Sequence, residues 1–319
     1  MKKLILLFVG FAFVFSCADE SKVEKEIAAI DVDVVVERFD KAFASSKPED
    51  LPKLKAAFPF MFSKTENDSV LTHRMSDTLQ QQLFVEIDKV FNNFAPQEHE
   101  IKKLFQHLKY YDKTFSAPRV VTFSDYVRYR DKVYVTDTIA LVALDTYLGA
   151  DHEFYGGIPK YISENMKPSQ ITPDLAAAYA DRYIYQSQRK TLLDEMIYFG
   201  KTLYFMDKII PFKTDAEKIG YTQEQLEWAI SNEDQIWRYF ISKELLYNTD
   251  SSLPARFTAP APFTKFYLEL DTESPGKLGQ FIGWQIVKSY MENNEDDFMD
   301  MLQKDAVEIF NNAKYKPNR

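Results

Sequence analysis

The spacing of apolar residues in this chain is helical for most of its length and changes period at Pro118. The stretch that follows, "RVVTFSDYVRYRDKVYVT", is rich in Val, Thr and Tyr and alternates through Val127, Arg128 and Tyr129; "TIALVALDTYLG" carries the run on to Gly149. β-Branched and aromatic side chains at a two-residue period suit a pleated, half-buried surface. The segment predicts two to four strands forming one small sheet within about residues 118–148. A body with so little strand must draw its core from helices. The supply of turn residues agrees, because nine glycines in 319 residues is under half the usual share of about 7%. Many-turned β-folds need more glycine than helices do, and 26 Phe and 19 Tyr provide aromatic packing instead. The expected class is α+β, mainly α-helical with one small sheet.

The helices themselves are legible in places. Residues 76–94 carry Leu79, Leu83, Phe84, Ile87, Val90, Phe91 and Phe94 at helical spacing, and Ile101, Leu104, Phe105 and Leu108 form a second stripe after Pro96. From Asp31 the chain begins extended or helical and settles into helix around Glu37 to Phe43. Thr172-Pro173 reads as a cap followed by Pro at the first helical position. The pattern from there to Pro211 is too long for one ordinary helix and should break near Tyr185 to Gln188. Gly220 closes a short helix, Thr222-x-x-Gln225 has the form of a capping box, and the helix after it runs to about Tyr247. A last helical region covers 280–313. With no internal repeat and no linker, residues 31–319 are expected to form one globular domain.

The N-terminus reads as an address. Lys2 and Lys3 precede an apolar run from Leu4 to Phe15 that is too short to span a bilayer, and Ser16 is followed by the chain's only cysteine, Cys17. This is the layout of a lipoprotein signal over residues 1–16, with Cys17 lipidated and residues 17–30 as a charged tether. More than one acyl chain on Cys17 would anchor the body stably where a single chain would not. Ala18 after Cys17 suits sorting to the outer membrane. Removing the two lysines of the signal takes the formal charge from −9 to −11. An acidic chain without a basic block is a poor partner for nucleic acid. No cysteine pair exists to form a disulfide, so stability must come from burial.

One helical stretch raises a question of chemistry. "LLDEMIYFGKTLYF", residues 192–205, holds Asp194-Glu195-Met196-Ile197-Tyr198 in the frame where a zinc peptidase carries His-Glu-x-x-His. Residues at i and i+4 share a helix face, so two imidazoles there can grip one zinc ion while the intervening Glu polarises a water. Here a carboxylate and a phenol hold those positions, and a phenol is a poor ligand because its unperturbed pKa is near ~10. The four histidines, His73, His99, His107 and His152, all precede residue 153 and no two are four apart. Zinc, or any other cofactor, is therefore not expected, and Glu195, Asp194 and Tyr198 are at most vestigial. "ESPGKLGQFIG" lacks phosphate-loop spacing and reads as a turn leading into a helix with two close-packing glycines. "ENNEDDFMD" lacks the order of a calcium loop.

Four stretches, "ERFDKAF", "DEMIYFGKTLYFMDKIIP", "NEDQIWRYFISKELLY" and "APFTKFYLELDTESPGKLGQFIGWQIVKSYM", occur in this order. Through them the chain resembles the GldB-type gliding-motility lipoproteins of Bacteroidota over roughly its whole length. That family is distantly similar in turn to gluzincin-like zinc peptidases. The resemblance implies a degenerate zincin-like scaffold, with Asp194 and Tyr198 where the distant group has histidines, Glu195 at the catalytic Glu and Glu233 near the downstream ligand. It also implies a non-catalytic envelope lipoprotein that works in gliding beside type IX secretion machinery, with other envelope proteins as partners. Glu233, Trp237 and Trp284 are then candidates for lining a peptide- or protein-binding groove. The rival reading is a hydrolase that keeps Glu195 and holds a metal through the oxygens of Asp194 and Glu233.

Overall fold

The computed structural model describes residues 22–267 and 271–318; Cys17, the signal segment and the start of the tether lie outside them. Its sheet has four strands in the order β1 (Val36–Arg38), β2 (Arg119–Phe123), β4 (Ile139–Ala143), β3 (Val133–Val135). β1 and β4 flank β2 in parallel, and β3 closes the far edge antiparallel to β4. The two central strands are buried through Val120, Val121, Ala140 and Val142, as expected of parallel strands covered on both faces.

Three strands fall within the segment read as strand, and β1 falls outside it. Val127, Arg128 and Tyr129, whose alternation was the signal, lie instead in the turn between β2 and β3, where Tyr126 and Val127 take positive φ. The three residues of β1 were read as the approach to a helix, but the helix starts only at Phe39. Arg38 fixes the change of direction: its guanidinium holds both Asp40 oxygens, at 2.9 and 2.6 Å, and the Phe91 carbonyl at 2.7 Å. Asp40 is buried and accepts the Thr122 hydroxyl from β2. A three-residue strand has no visible period, so only its pairing reveals it.

The helices that build the core follow the stripes. α1 (Thr78–Phe91) is capped by Asp77, which accepts the Gln80 N–H at 2.8 Å, and α2 (Ala95–Tyr111) carries Pro96 in its first turn. α3 (Ile171–Ala180) starts before Thr172, with Gln170 at the cap. The Thr172 hydroxyl donates instead to Glu100 on α2, at 2.7 Å. The expected break widens to residues 181–191, and α4 (Leu192–Ile209) follows it. α5 (Asp215–Ile219) ends at Gly220 with φ +68°, and α6 (Gln223–Ser231) opens on the Thr222–Gln225 capping box. The helix read as running to Tyr247 is interrupted at Asn232, resumes as α7 (Glu233–Ser242) and stops there.

α8 (Leu278–Asn293), α9 (Phe298–Gln303) and α10 (Ala306–Ala313) complete the chain. α4 is the hub, packed against α3, α8 and α10. It crosses α8 at two glycines. A Cβ on Gly283 would sit 1.8 Å from the Met196 carbonyl oxygen, and one on Gly200 2.3 Å from that of Gly283. The backbones meet directly, and Met196, Phe205, Ile282 and Trp284 seal the crossing around them. Among the described residues no helix is long and apolar enough to cross a membrane.

Candidate functional site

The start of α4 is held by hydrogen bonds that consume the first of its candidate residues. Thr191 is the N-cap, and its hydroxyl accepts the Asp194 N–H at 3.1 Å. Asp194 replies in kind, one oxygen accepting the Thr191 N–H at 3.1 Å and its hydroxyl at 2.6 Å. The other oxygen accepts from Arg189 at 2.9 Å, and the same guanidinium nitrogen reaches Asp305, the cap of α10, at 2.7 Å. Burial pushes the Asp194 carboxyl up, but the bonds from Thr191 and Arg189 outweigh it and hold its pKa below the usual range. Asp194 thus completes a capping box and ties two helix starts together through Arg189.

Tyr198 lies one turn on and turns away from Asp194. Its hydroxyl donates to Asp181 at 2.6 Å. Burial first, then that bond and the charge of Asp181, raise its pKa well above the ordinary phenol. Glu195 is half-buried; its backbone N–H donates to the Thr191 carbonyl at 3.2 Å, and its carboxylate makes no hydrogen bond or ion pair among the described residues.

Glu233 and Trp237 share a face of α7, and the C-terminal segment occupies it. Glu233 is 2% exposed; it accepts the Tyr315 hydroxyl at 2.7 Å and the Asn318 amide at 3.0 Å. Trp237 packs edge-on to Tyr315 at 5.2 Å between ring centres. Trp284 is fully buried; its indole N–H donates to Asp207 on α4 at 2.8 Å, and Lys288 lies 3.7 Å over its ring. None of these three residues lines the cleft beside α4.

Zinc does not fit this arrangement. One Asp194 oxygen is taken by the cap and the other faces a guanidinium, which repels a cation. The Tyr198 phenol is driven away from the ionised form a metal needs. Among the described residues no three of His, Cys, Asp and Glu converge as they must to hold a metal ion.

A cleft lies along another side of α4. It has a volume of about 810 Å³ and runs between α3, α4, the turn at 218–221 and the start of α8. Tyr198, Phe199, Thr202 and Met206 form its α4 wall, and Ala177 and Ala178 its α3 wall. Lys132 enters from beside β3 and is paired with Asp174 at 2.9 Å; the Tyr147 hydroxyl bonds the same oxygen at 2.8 Å. Lys277 stands at the cap of α8 with φ +59°. Its ammonium donates to the carbonyls of Ile219 and Gly220. Burial, then repulsion from Lys132, lowers its pKa to about 8, with Asp174 opposing. Of the sequence-level candidates only Tyr198 borders this cleft. The residues that line it come from α4 and from six other stretches of the chain, between Tyr129 and Gln280, which no local pattern joins.

A family described as "Gliding motility protein GldB" matches residues 20–317. The chain belongs to that family. Membership makes it a gliding motility lipoprotein of the cell envelope. Comparison with curated proteins and with solved structures returned no match. The GldB-family chain therefore has its class from the family and its site from geometry alone.

Proposed function

We propose that this GldB-family protein is a non-catalytic lipoprotein that supports gliding by docking a peptide or protein segment in the cleft beside α4. The observation that carries the reading is the fate of Asp194. Where a peptidase needs a free ligand, both carboxylate oxygens are committed to the cap and to Arg189. In this reading α4 keeps the helix of a peptidase-like scaffold and not its chemistry. The volume of the cleft, about 810 Å³, lies at the upper end of the range for ligand pockets, which suits a peptide segment.

Acyl chains on Cys17 anchor the protein to the outer membrane in this proposal, and Ala18 supports that sorting. The resemblance of the sequence supports a place beside the type IX secretion machinery. One hydrophobic cluster running from Val32 to Ala313 supports a single domain over residues 31–319.

Complementation of a gliding-deficient strain tests the proposal. Glu195→Gln should restore gliding fully. Ala178→Trp, which fills the cleft from α3, should abolish gliding while the protein accumulates at the normal level. Cys17→Ala should release the body from membranes and also abolish gliding. Loss of gliding in Glu195→Gln at normal abundance would establish the hydrolase reading instead.

A further inference from the structure

The cations of the cleft are not equivalent. Three lysines line it. Lys132 has Asp174 at 2.9 Å, and Lys218 has Asp207 at 2.8 Å and Asp215 at 3.1 Å. Lys277 has two carbonyls and the face of the Tyr221 ring at 5.2 Å; Asp174 acts on it only from beyond ion-pair distance, and no carboxylate pairs with it among the described residues. In a chain with 48 acidic and 39 basic residues, a half-buried lysine left without an anion is out of keeping with its surroundings. A half-buried ammonium is normally paired, because its charge has lost part of its hydration.

Two further features make the spot more positive. Lys277 caps α8, a helix of 16 residues, so the positive end of the helix dipole points into the same region. Arg130 also lines the cleft, is exposed and has no carboxylate partner among the described residues. The backbone at Lys277 is left-handed at φ +59°, a conformation that is unfavourable for a side-chain-bearing residue and is kept where the surroundings impose it.

The same cleft holds two carboxylates without a cation. Glu164 has no ion-pair partner among the described residues, and Asp181 accepts only the Tyr198 hydroxyl from a side chain. These are acceptors waiting for N–H donors. A bare anion offers none, whereas a peptide offers amides along its length and a carboxylate at its end or on a side chain.

Resting on the docking proposal above, we infer that the cleft binds a peptide through one carboxylate, taken by the Lys277 ammonium with Arg130 as a second positive contact, while Glu164 and Asp181 accept its N–H groups. The carboxylate supplies the charge that Lys277 lacks, which also favours the protonated amine whose pKa burial has lowered to about 8.

Fluorescence anisotropy on the full-length protein in detergent tests this, using labelled short peptides of one neutral parent sequence. Three probes share that sequence: a free C-terminal acid, the C-terminal amide, and an amide with one central Asp. At least one acid-bearing probe should bind about tenfold more tightly than the neutral amide, and comparison of the two acid probes identifies the source of the carboxylate. Lys277→Met should erase the preference, Lys277→Arg should keep it, and Arg130→Gln, at an exposed position that does not endanger folding, should weaken it by about threefold. Equal binding of all three probes to the wild-type protein would overturn the carboxylate assignment and leave the docking proposal standing. No binding of any probe would also overturn the assignment. The docking proposal falls separately, if Ala178→Trp still glides.

Discussion

α4 has two faces that could hardly be used more differently. Toward α8 it presents Gly200, and the two backbones touch with no side chain between them. Toward the cleft it presents Tyr198, Phe199, Thr202 and Met206, with open volume beyond. The first face has nothing that can move aside, because carbonyls have no rotamers. The second has side chains that can turn to meet a ligand. One helix is thus rigidly placed by one side so that the other can be available, the arrangement expected of a binding wall built on a fixed element.

The comparison breaks first, if it is wrong, at the crossing. Gly283→Ala forces a methyl to within 1.8 Å of the Met196 carbonyl and should destabilise the protein by about 3 kcal/mol or more. Urea unfolding followed by circular dichroism measures it, and a loss under about 1 kcal/mol would mean the helices can part easily.

Lys201, on the same helix, sharpens the account of what else pins α4. It is 2% exposed and donates to the carbonyls of Leu302 and Lys304. Burial lowers its pKa from 10.5 to about 8, with Asp305 and Glu308 opposing. Below about pH 8 the penalty for a buried charge is fully present. Between about 8 and 10.5 the unfolded chain holds a proton that the folded chain has released, so this contribution to stability rises with pH. The rise amounts to about 3 kcal/mol over the window. Lys201→Met should lack it, so unfolding free energies of the two proteins should converge or diverge across that range; parallel curves would refute the assignment.

Thr191→Ala tests the capping role assigned to the start of α4 and should cost about 1 kcal/mol, read from the same urea curves. The smallest effect belongs to the cleft wall. Tyr198→Phe removes one hydrogen bond to a solvent-exposed Asp181 and should change stability by less than about 0.5 kcal/mol. A larger loss there would mean the cleft face is as structural as the crossing.

Much of this could be read in advance, and the limits have physical causes. The stripes of α1 and α2 and the capping box at Thr222 are local signals, and each appeared where its residues put it. Asp194 was named for standing in a ligand position, but its partner Arg189 lies in an irregular segment with no periodicity to announce it. Glu233 and Trp237, offered with Trp284 as groove candidates, lie one turn apart on α7, and the segment that occupies their face lies some 80 residues away, at Tyr315 and Asn318. The two glycines of the crossing, Gly200 and Gly283, lie in separate helices, and only Gly283 stood out as a close-packing position.

By itself the sequence determined the class of the fold, the positions of most helices, the small sheet and the family, because period, capping and turn chemistry act between residues a few positions apart. Only the tertiary structure decided that Asp194 completes a capping box tied to Arg189, that Glu233 holds Tyr315 and Asn318, and that Lys277 lines a cleft with no carboxylate paired to it among the described residues. Those facts depend on which distant groups come within hydrogen-bond reach. That is settled by how helices pack, and no local pattern encodes it.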